Sequence, residues 1–265
     1  MTIFLLVDLI KKHITMSNNH SLKGMTPDAT IGQIVSAEKN AGELLSSIGL
    51  SPKNHQSETL RSVCQQKKWS EVEVLKWLKK NQQHNGAQKN AKDKEEPPDF
   101  GKNLQKWCKY LEQHFLTRNT ELLDDINRDF PRVHKIHGNQ YEWLKNMQWY
   151  LDKLEEKLNY YFYFQRQKLF PLLESLKDPK KKVLHGTIKK VNSGIEIIED
   201  DQNTILELID AIEEKGQGLK NPEDACSTLR ILNYNVKTLF SSLRKQIEIE
   251  REHLIPLVKQ KLESG

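Results

Sequence analysis

Cysteine is scarce in this 265-residue chain: Cys64, Cys108 and Cys226 stand far apart, so neither a disulfide framework nor a Cys-x-x-Cys zinc site can be built. A reducing cytosol is the expected setting. The twelve glycines form no phosphate-cradling loop and no nucleophile elbow, and there is no alternation of strand and helix patterns. The common nucleotide-binding and hydrolase folds are thereby excluded. Long apolar runs are missing too. The only one near the start, residues 3–10, is far shorter than the ~20 residues that span a bilayer. It also lacks the cationic start and small-residue cleavage site of a signal peptide. It reads either as a peripheral helix or as sequence ahead of a later start at Met16 or Met25. Aromatic residues make up 8% of the chain and never interleave with a basic block, so the net charge of +5 does not imply nucleic-acid binding.

What is present is helical patterning: 37% apolar and 29% charged residues, arranged in amphipathic stretches with strongly polar outer faces. The expected organisation is an ill-defined extension over 1–26, a small helical domain over 27–81, a flexible linker over 82–98 and a helical domain over 99–265. In the small domain, Asp28 or Thr30 is placed to cap a first helix and Gly49 to stop a second one near 41–48. Two more helices are expected over 58–66 and 71–78, with Ser70 capping the last. The linker tract is rich in Gln, Asn, Lys and Glu and closes in Pro97-Pro98.

The larger domain reads as four long helices, near 100–128, 139–176, 181–215 and 222–262. Pro131 is expected to close the first, Pro222 to open the fourth, and Pro256 to kink or end it. Short connections favour an up-down-up-down bundle. Each apolar stripe is interrupted by polar residues. The first runs Leu104, Trp107, Leu111, then His114. The second runs Leu144, Met147, Leu151, Leu154, Leu158, then Tyr161 and Gln165. The third passes Ile188, Val191, Ile195 and Ile198 to Gln202. The fourth passes Leu229, Leu232, Val236, Leu239 and Leu243 to Gln246 and Glu250. Bundles build metal and cofactor sites from such inward positions. Here the donors are mostly amide and phenol.

Several segments carry a family resemblance: Ile31-Gly32-Gln33-Ile34-Val35, Ile48-Gly49-Leu50, Thr59-Leu60, Cys64, Glu73-Val74-Leu75, Leu169-Phe170-Pro171, Pro222-Glu223-Asp224-Ala225-Cys226 and Leu254-Ile255-Pro256. In this order the chain resembles the iron–sulfur cluster repair di-iron proteins over about 27–262. That family joins a small cysteine-bearing N-terminal domain to a hemerythrin-like four-helix bundle. The resemblance therefore implies an all-α fold with an up-down-up-down bundle, and a role in repairing clusters damaged by oxidative or nitrosative stress. The family's thiol pair falls on Lys53 and Asn54, followed by His55 and Gln56, so the thiols are gone. Its seven iron ligands map onto His114, His134 and Glu250, which are retained, and onto Tyr161, Gln165, Gln202 and Gln246, which are not.

Two readings follow. In the first, the former ligand layer is a polar network in which the three glutamines satisfy one another, His114 and Glu250. The protein then holds no cofactor and acts as a non-catalytic binding or regulatory protein, with a protein partner or as a homo- or heterodimer. In the alternative, His114, His134 and Glu250, with Tyr161 as a further oxygen donor, bind a single iron in an altered metalloprotein that keeps a cluster-repair or iron-handling role. The runs 160–164 (five aromatics) and 199–201 (three acids) read as packing and as a solvated face. Cys64 reads as a buried small residue or a lone reactive thiol, and Cys108 carries no independent signal.

Overall fold

A computed structural model of the chain describes residues 22–38, 40–88, 97–176 and 184–263. The run at residues 3–10 and residues 89–96 of the expected linker lie outside the described residues. The elements are helical; among the described residues the only β-type pairing is an isolated bridge between Thr30 and Thr59. None of the described helices is long and apolar enough to cross a membrane. The chain divides into two compact units, one ending at Gly86 and the other beginning at Ala87.

The first unit contains α1 (Ile31–Ala37), α2 (Ala41–Ser47), α3 (Leu60–Gln66) and α4 (Glu71–Gln88). Thr30 caps α1 in a full capping box with Gln33, and Thr59 caps α3 by accepting from the Ser62 amide. The bridge joins these two caps. The Ile31 amide donates to the Glu58 carbonyl at 2.9 Å and the Leu60 amide to the Ala29 carbonyl at 3.0 Å. The Gly32 amide reaches the Gln56 carbonyl at 2.9 Å, so close that a Cβ on residue 32 would lie 2.9 Å from that same oxygen. Gly49, at φ 88°, turns the chain after α2, and the Leu50 amide returns to the Leu45 carbonyl. Ile31, Ile34, Leu45, Ile48, Leu50, Leu60, Val63, Cys64, Val74 and Leu78 form the core. Lys53 and Asn54 sit exposed in a 3₁₀ turn, Pro52–Asn54. Ser70 caps α4 as expected, but the helix runs ten residues beyond 78, into the tract expected to be a linker. Polar composition removed the apolar stripe there without removing helix-forming residues.

The second unit holds four long helical runs. Run I is α5 (Leu104–Leu111), a π-turn (Glu112–Leu116) and α6 (Thr117–His137). Run II is α7 (Trp143–Phe164), a π-turn (Gln165–Leu169) and α8 (Phe170–Glu174). Run III is α9 (His185–Lys215). Run IV is α10 (Ser227–Ile249), a π-turn (Glu250–Leu254) and α11 (Ile255–Glu263). The α7 helix packs along α9 and α6 along α10, and all four runs contribute to one apolar core. Each buried Leu or Ile in it contributes ~2 kcal/mol.

The prolines behave differently from expectation. Pro131 lies inside α6, which continues to His137 because Phe130, Val133 and His137 are buried on the core side. Run IV likewise continues through Pro256 to Glu263. Pro222 precedes its helix, which starts at Ser227 with Cys226 at the N-cap. Pro171 and Pro256 each come directly after the residue that closes a π-turn, Phe170 or Ile255. A proline offers no N–H and crowds the preceding turn. An i to i+5 turn just upstream widens the helix where that crowding falls. The paired Leu169-Phe170-Pro171 and Leu254-Ile255-Pro256 segments thus have a common backbone meaning.

Gly32→Ala is expected to destabilise the first unit by ~1–3 kcal/mol, because the new methyl meets a backbone oxygen that is itself hydrogen-bonded. Urea denaturation followed by circular dichroism checks this; an unchanged midpoint would mean the junction of the two caps is soft.

Candidate functional site

The inward polar positions of runs II, III and IV converge on one carboxylate. Glu250 is 1% exposed, and Tyr161, Gln202 and Gln246 are wholly buried around it, with Gln165 beside them. Its Oε2 accepts from the Tyr161 hydroxyl at 2.5 Å and from Gln202 Nε2 at 2.8 Å. Its Oε1 accepts from Gln246 Nε2 at 2.8 Å and Gln165 Nε2 at 3.0 Å. Four donors and no acceptor face it, which is the pattern that suits an ionised carboxylate.

The amide oxygens are committed as well. Gln202 Oε1 accepts from Arg251 Nε at 2.7 Å, and Arg251 in turn donates to Asn203 Oδ1 at the surface. Gln165 Oε1 accepts from Gln246 Nε2 at 3.3 Å, and Gln246 Oε1 accepts from Asn119 Nδ2 at 2.9 Å. Every glutamine is therefore oriented, each with nitrogen toward the carboxylate and oxygen away from it. The Gln202 amide thus links the Arg251 guanidinium to Glu250 by two hydrogen bonds. Burial still pushes the Glu250 carboxyl above its ordinary range, with the hydrogen bonds from Tyr161, Gln246, Gln202 and Gln165 opposing it. Burial, and then the charge of Glu250, push the Tyr161 phenol well up, so it remains a donor.

Three residues that build or brace the layer are not marked by the sequence pattern. Asn119 is the contribution of run I, in place of His114. The π-turn at Glu112–Leu116 adds a residue, so the face that carries Leu111 continues through Phe115 to Asn119. Arg166, in the π-turn of run II, grips the turn in run I, with Nε 2.9 Å from Glu112 Oε1 and Nη1 3.3 Å from Thr120 Oγ1. Arg251 stands one position past Glu250 and off the apolar stripe, so helical periodicity does not mark it.

The histidines expected with Glu250 are elsewhere. His114 is exposed, stacked on Tyr110 with ring centroids 4.4 Å apart and with Nδ1 3.0 Å from the Tyr110 carbonyl oxygen. His134 stacks on Phe130, and its buried Nε2 makes no hydrogen bond. Among the described residues no group of three His, Cys, Asp or Glu side chains is near enough to share a metal ion. The expected trio of His114, His134 and Glu250 is therefore not brought together. Nor does the layer fit two irons: both oxygens of its one carboxylate are occupied by donors, and the neighbours present amide N–H groups instead of imidazole nitrogens.

The aromatic run divides as a helix should, with Tyr161 and Phe162 buried and Tyr160 and Tyr163 exposed. The acidic run is less solvated than expected. Asp201 is buried and pairs with Lys157 Nζ at 2.7 Å, and Glu199 pairs with Lys259 at 2.8 Å.

Comparison with known proteins places the chain near one group. It is 22% identical to iron-sulfur cluster repair protein YtfE of Salmonella paratyphi B over 139 residues, 52% of this chain and 59% of that protein. The proteins of the same name from Salmonella newport and Salmonella heidelberg match to the same extent. The chain is thus distantly homologous to iron–sulfur cluster repair proteins and spans about 59% of the length of these relatives. No family model matches it.

Glu250→Ala leaves four buried donors unpaired and is expected to cost at least ~3 kcal/mol in urea denaturation. The pH dependence has a definite sign. A carboxyl whose folded pKa is raised above its ordinary 4.5 favours the folded state fully below 4.5, and that contribution is lost as pH rises through the folded value. The unfolding free energy of the wild type relative to Glu250→Gln should therefore fall as pH rises from 4.5, then level off. A difference that rises over this window would show the hydrogen bonds outweighing desolvation.

Proposed function

We propose that the second unit is a hemerythrin-like up-down-up-down four-helix bundle in which the iron layer has been replaced by the Glu250–amide network. In this reading the protein is a non-catalytic binding or regulatory relative of the cluster-repair proteins in an oxidative or nitrosative stress response, working in the cytoplasm. The observation that carries it is the saturation of Glu250 by Tyr161, Gln165, Gln202 and Gln246. Those four positions are the ones where the family resemblance implies iron ligands. A carboxylate that bridges two metals needs its lone pairs free; here each oxygen already accepts two hydrogen bonds.

The first unit supports the same reading. Lys53 and Asn54 occupy the positions that the resemblance assigns to the thiol pair, and both are exposed polar residues. Its one cysteine, Cys64, is wholly buried, and burial pushes its thiol up to about 12. The thiol pair and four of the seven ligand positions that the resemblance implies for repair chemistry carry other residues. What remains is a folded scaffold that recognises something, either a protein partner or a second copy of this chain or of a homologue.

Iron content tests this directly. Purified anaerobically under reducing conditions, offered Fe(II) and desalted, the protein is expected to retain far less than one iron per chain and to show no oxo-bridge absorption. About two irons per chain would overturn the proposal, because that is the complement of an intact di-iron carboxylate bundle. About one iron, lost on Glu250→Gln, would favour a mononuclear site instead.

A further inference from the structure

The second unit carries another constellation, at the opposite end of run IV from the Glu250 layer. Cys226 is the N-cap residue of α10, 24 residues and about 36 Å along the helix from Glu250. Its Sγ lies 3.1 Å from Nε2 of His137, the last residue of α6. The two residues are 89 positions apart in sequence, so only the packing of run I against run IV brings them together.

The surroundings hold this pair in place. His137 is buried and stacks on Tyr141, with ring centroids 5.6 Å apart. The Tyr141 hydroxyl donates to Asp224 Oδ1 at 2.5 Å, and Gln140 Nε2 donates to Asp224 Oδ2 at 2.6 Å. Asp224 in turn belongs to the loop that delivers Cys226. Arg230 ties that loop to α10, donating to the carbonyls of Pro222, Glu223 and Ala225 at 2.8–3.0 Å. The charged and titratable groups facing the pair are thus Arg230, Asp224 and Tyr141. The tyrosine stays a neutral phenol, because burial and its bond to Asp224 push it up to about 12. The Pro222-Glu223-Asp224-Ala225-Cys226 segment is therefore a braced platform for a thiol.

The other cysteines provide the contrast. Cys64 is wholly buried and Cys108 is 4% exposed, each with its thiol pushed up to about 12, chiefly by burial. Cys226 alone of the three is partly exposed, and it alone meets an imidazole.

We propose that Cys226 and His137 form a nucleophile–base pair that makes Cys226 the site at which this protein is oxidised by hydroperoxides. His137 Nε2 takes the thiol proton as Sγ attacks the terminal oxygen of the peroxide. A sulfur–oxygen bond forms, the oxygen–oxygen bond breaks, and the departing oxygen takes a proton to leave as water or an alcohol. The sulfur loses two electrons to become a sulfenic acid, and the peroxide gains them. A small oxidant is the fitting co-reactant for a cysteine that is only partly exposed. A protein with no iron in its bundle would in this way still register oxidative conditions.

The test uses the full-length protein and hydrogen peroxide, with dimedone to trap sulfenic acid and mass spectrometry to count each cysteine. Cys226 is expected to be trapped at least about tenfold faster than Cys64 or Cys108, and His137→Gln to slow it at least about tenfold, at the low end of what a positioned base supplies. Denaturing the wild type in urea provides a second readout that needs no variant. Unfolding separates Cys226 from His137, so its rate should fall while those of Cys64 and Cys108 rise. The proposal is overturned if the Cys226 rate rises on unfolding like the others, or if His137→Gln, folded by circular dichroism, leaves it unchanged. Iron enters none of these measurements, so their outcome is independent of the metal-content experiment.

Discussion

The second unit is organised around the cost of keeping one carboxylate out of water. An isolated buried carboxylate is prohibitive, and the structure meets that cost with four hydrogen bonds from three different residue positions on facing runs and one on its own helix. That requirement propagates outward. Each glutamine must turn its nitrogen inward, so its oxygen needs a donor further out, and these are supplied by Asn119, Arg251 and a neighbouring glutamine. The four runs are thereby held in one register relative to each other by directional contacts, whereas the leucine and isoleucine layers above and below would tolerate some sliding.

The π-turns belong to the same design. Two of the three open on residues of the layer, Gln165 and Glu250, and each is followed by a proline one residue beyond its closing position. The third, in run I, is clamped by Arg166 from the second. A widened turn presents its side chains at an angle that a regular helix cannot offer, which is why such turns recur at sites. Here they aim side chains into a layer in which hydrogen bonds take the space that ligand bonds would need. At the far end of the same unit, the packing of α6 against α10 creates a second pairing, His137 with Cys226, from residues that have nothing in common along the chain.

The legibility of the site followed the backbone. Tyr161, Gln165, Gln202, Gln246 and Glu250 were found from stripe periodicity because each is reached by uninterrupted α-helix from the apolar residues before it. His114 was misplaced because the π-turn lies between Leu111 and the layer, and a 3.6-residue period carries no information about an inserted residue. Asn119 was invisible for the same reason. Pro131 misled in the opposite direction: it reads as a helix end, and tertiary burial of its neighbours carries the helix through. At Pro256, where a kink or an end is expected, the run continues beyond a π-turn.

By itself, then, the sequence determined that the chain is helical, where the helices of the first unit begin to within two residues, and which polar residues of three runs would meet, since capping, turn chemistry and α-periodicity all act within a few residues. Tertiary structure decided which residue of run I joins the layer, which way each amide faces, and which of three cysteines meets a base. Those outcomes depend on one extra residue in a turn and on contacts across 41 to 127 positions of sequence, distances over which local preference exerts no force.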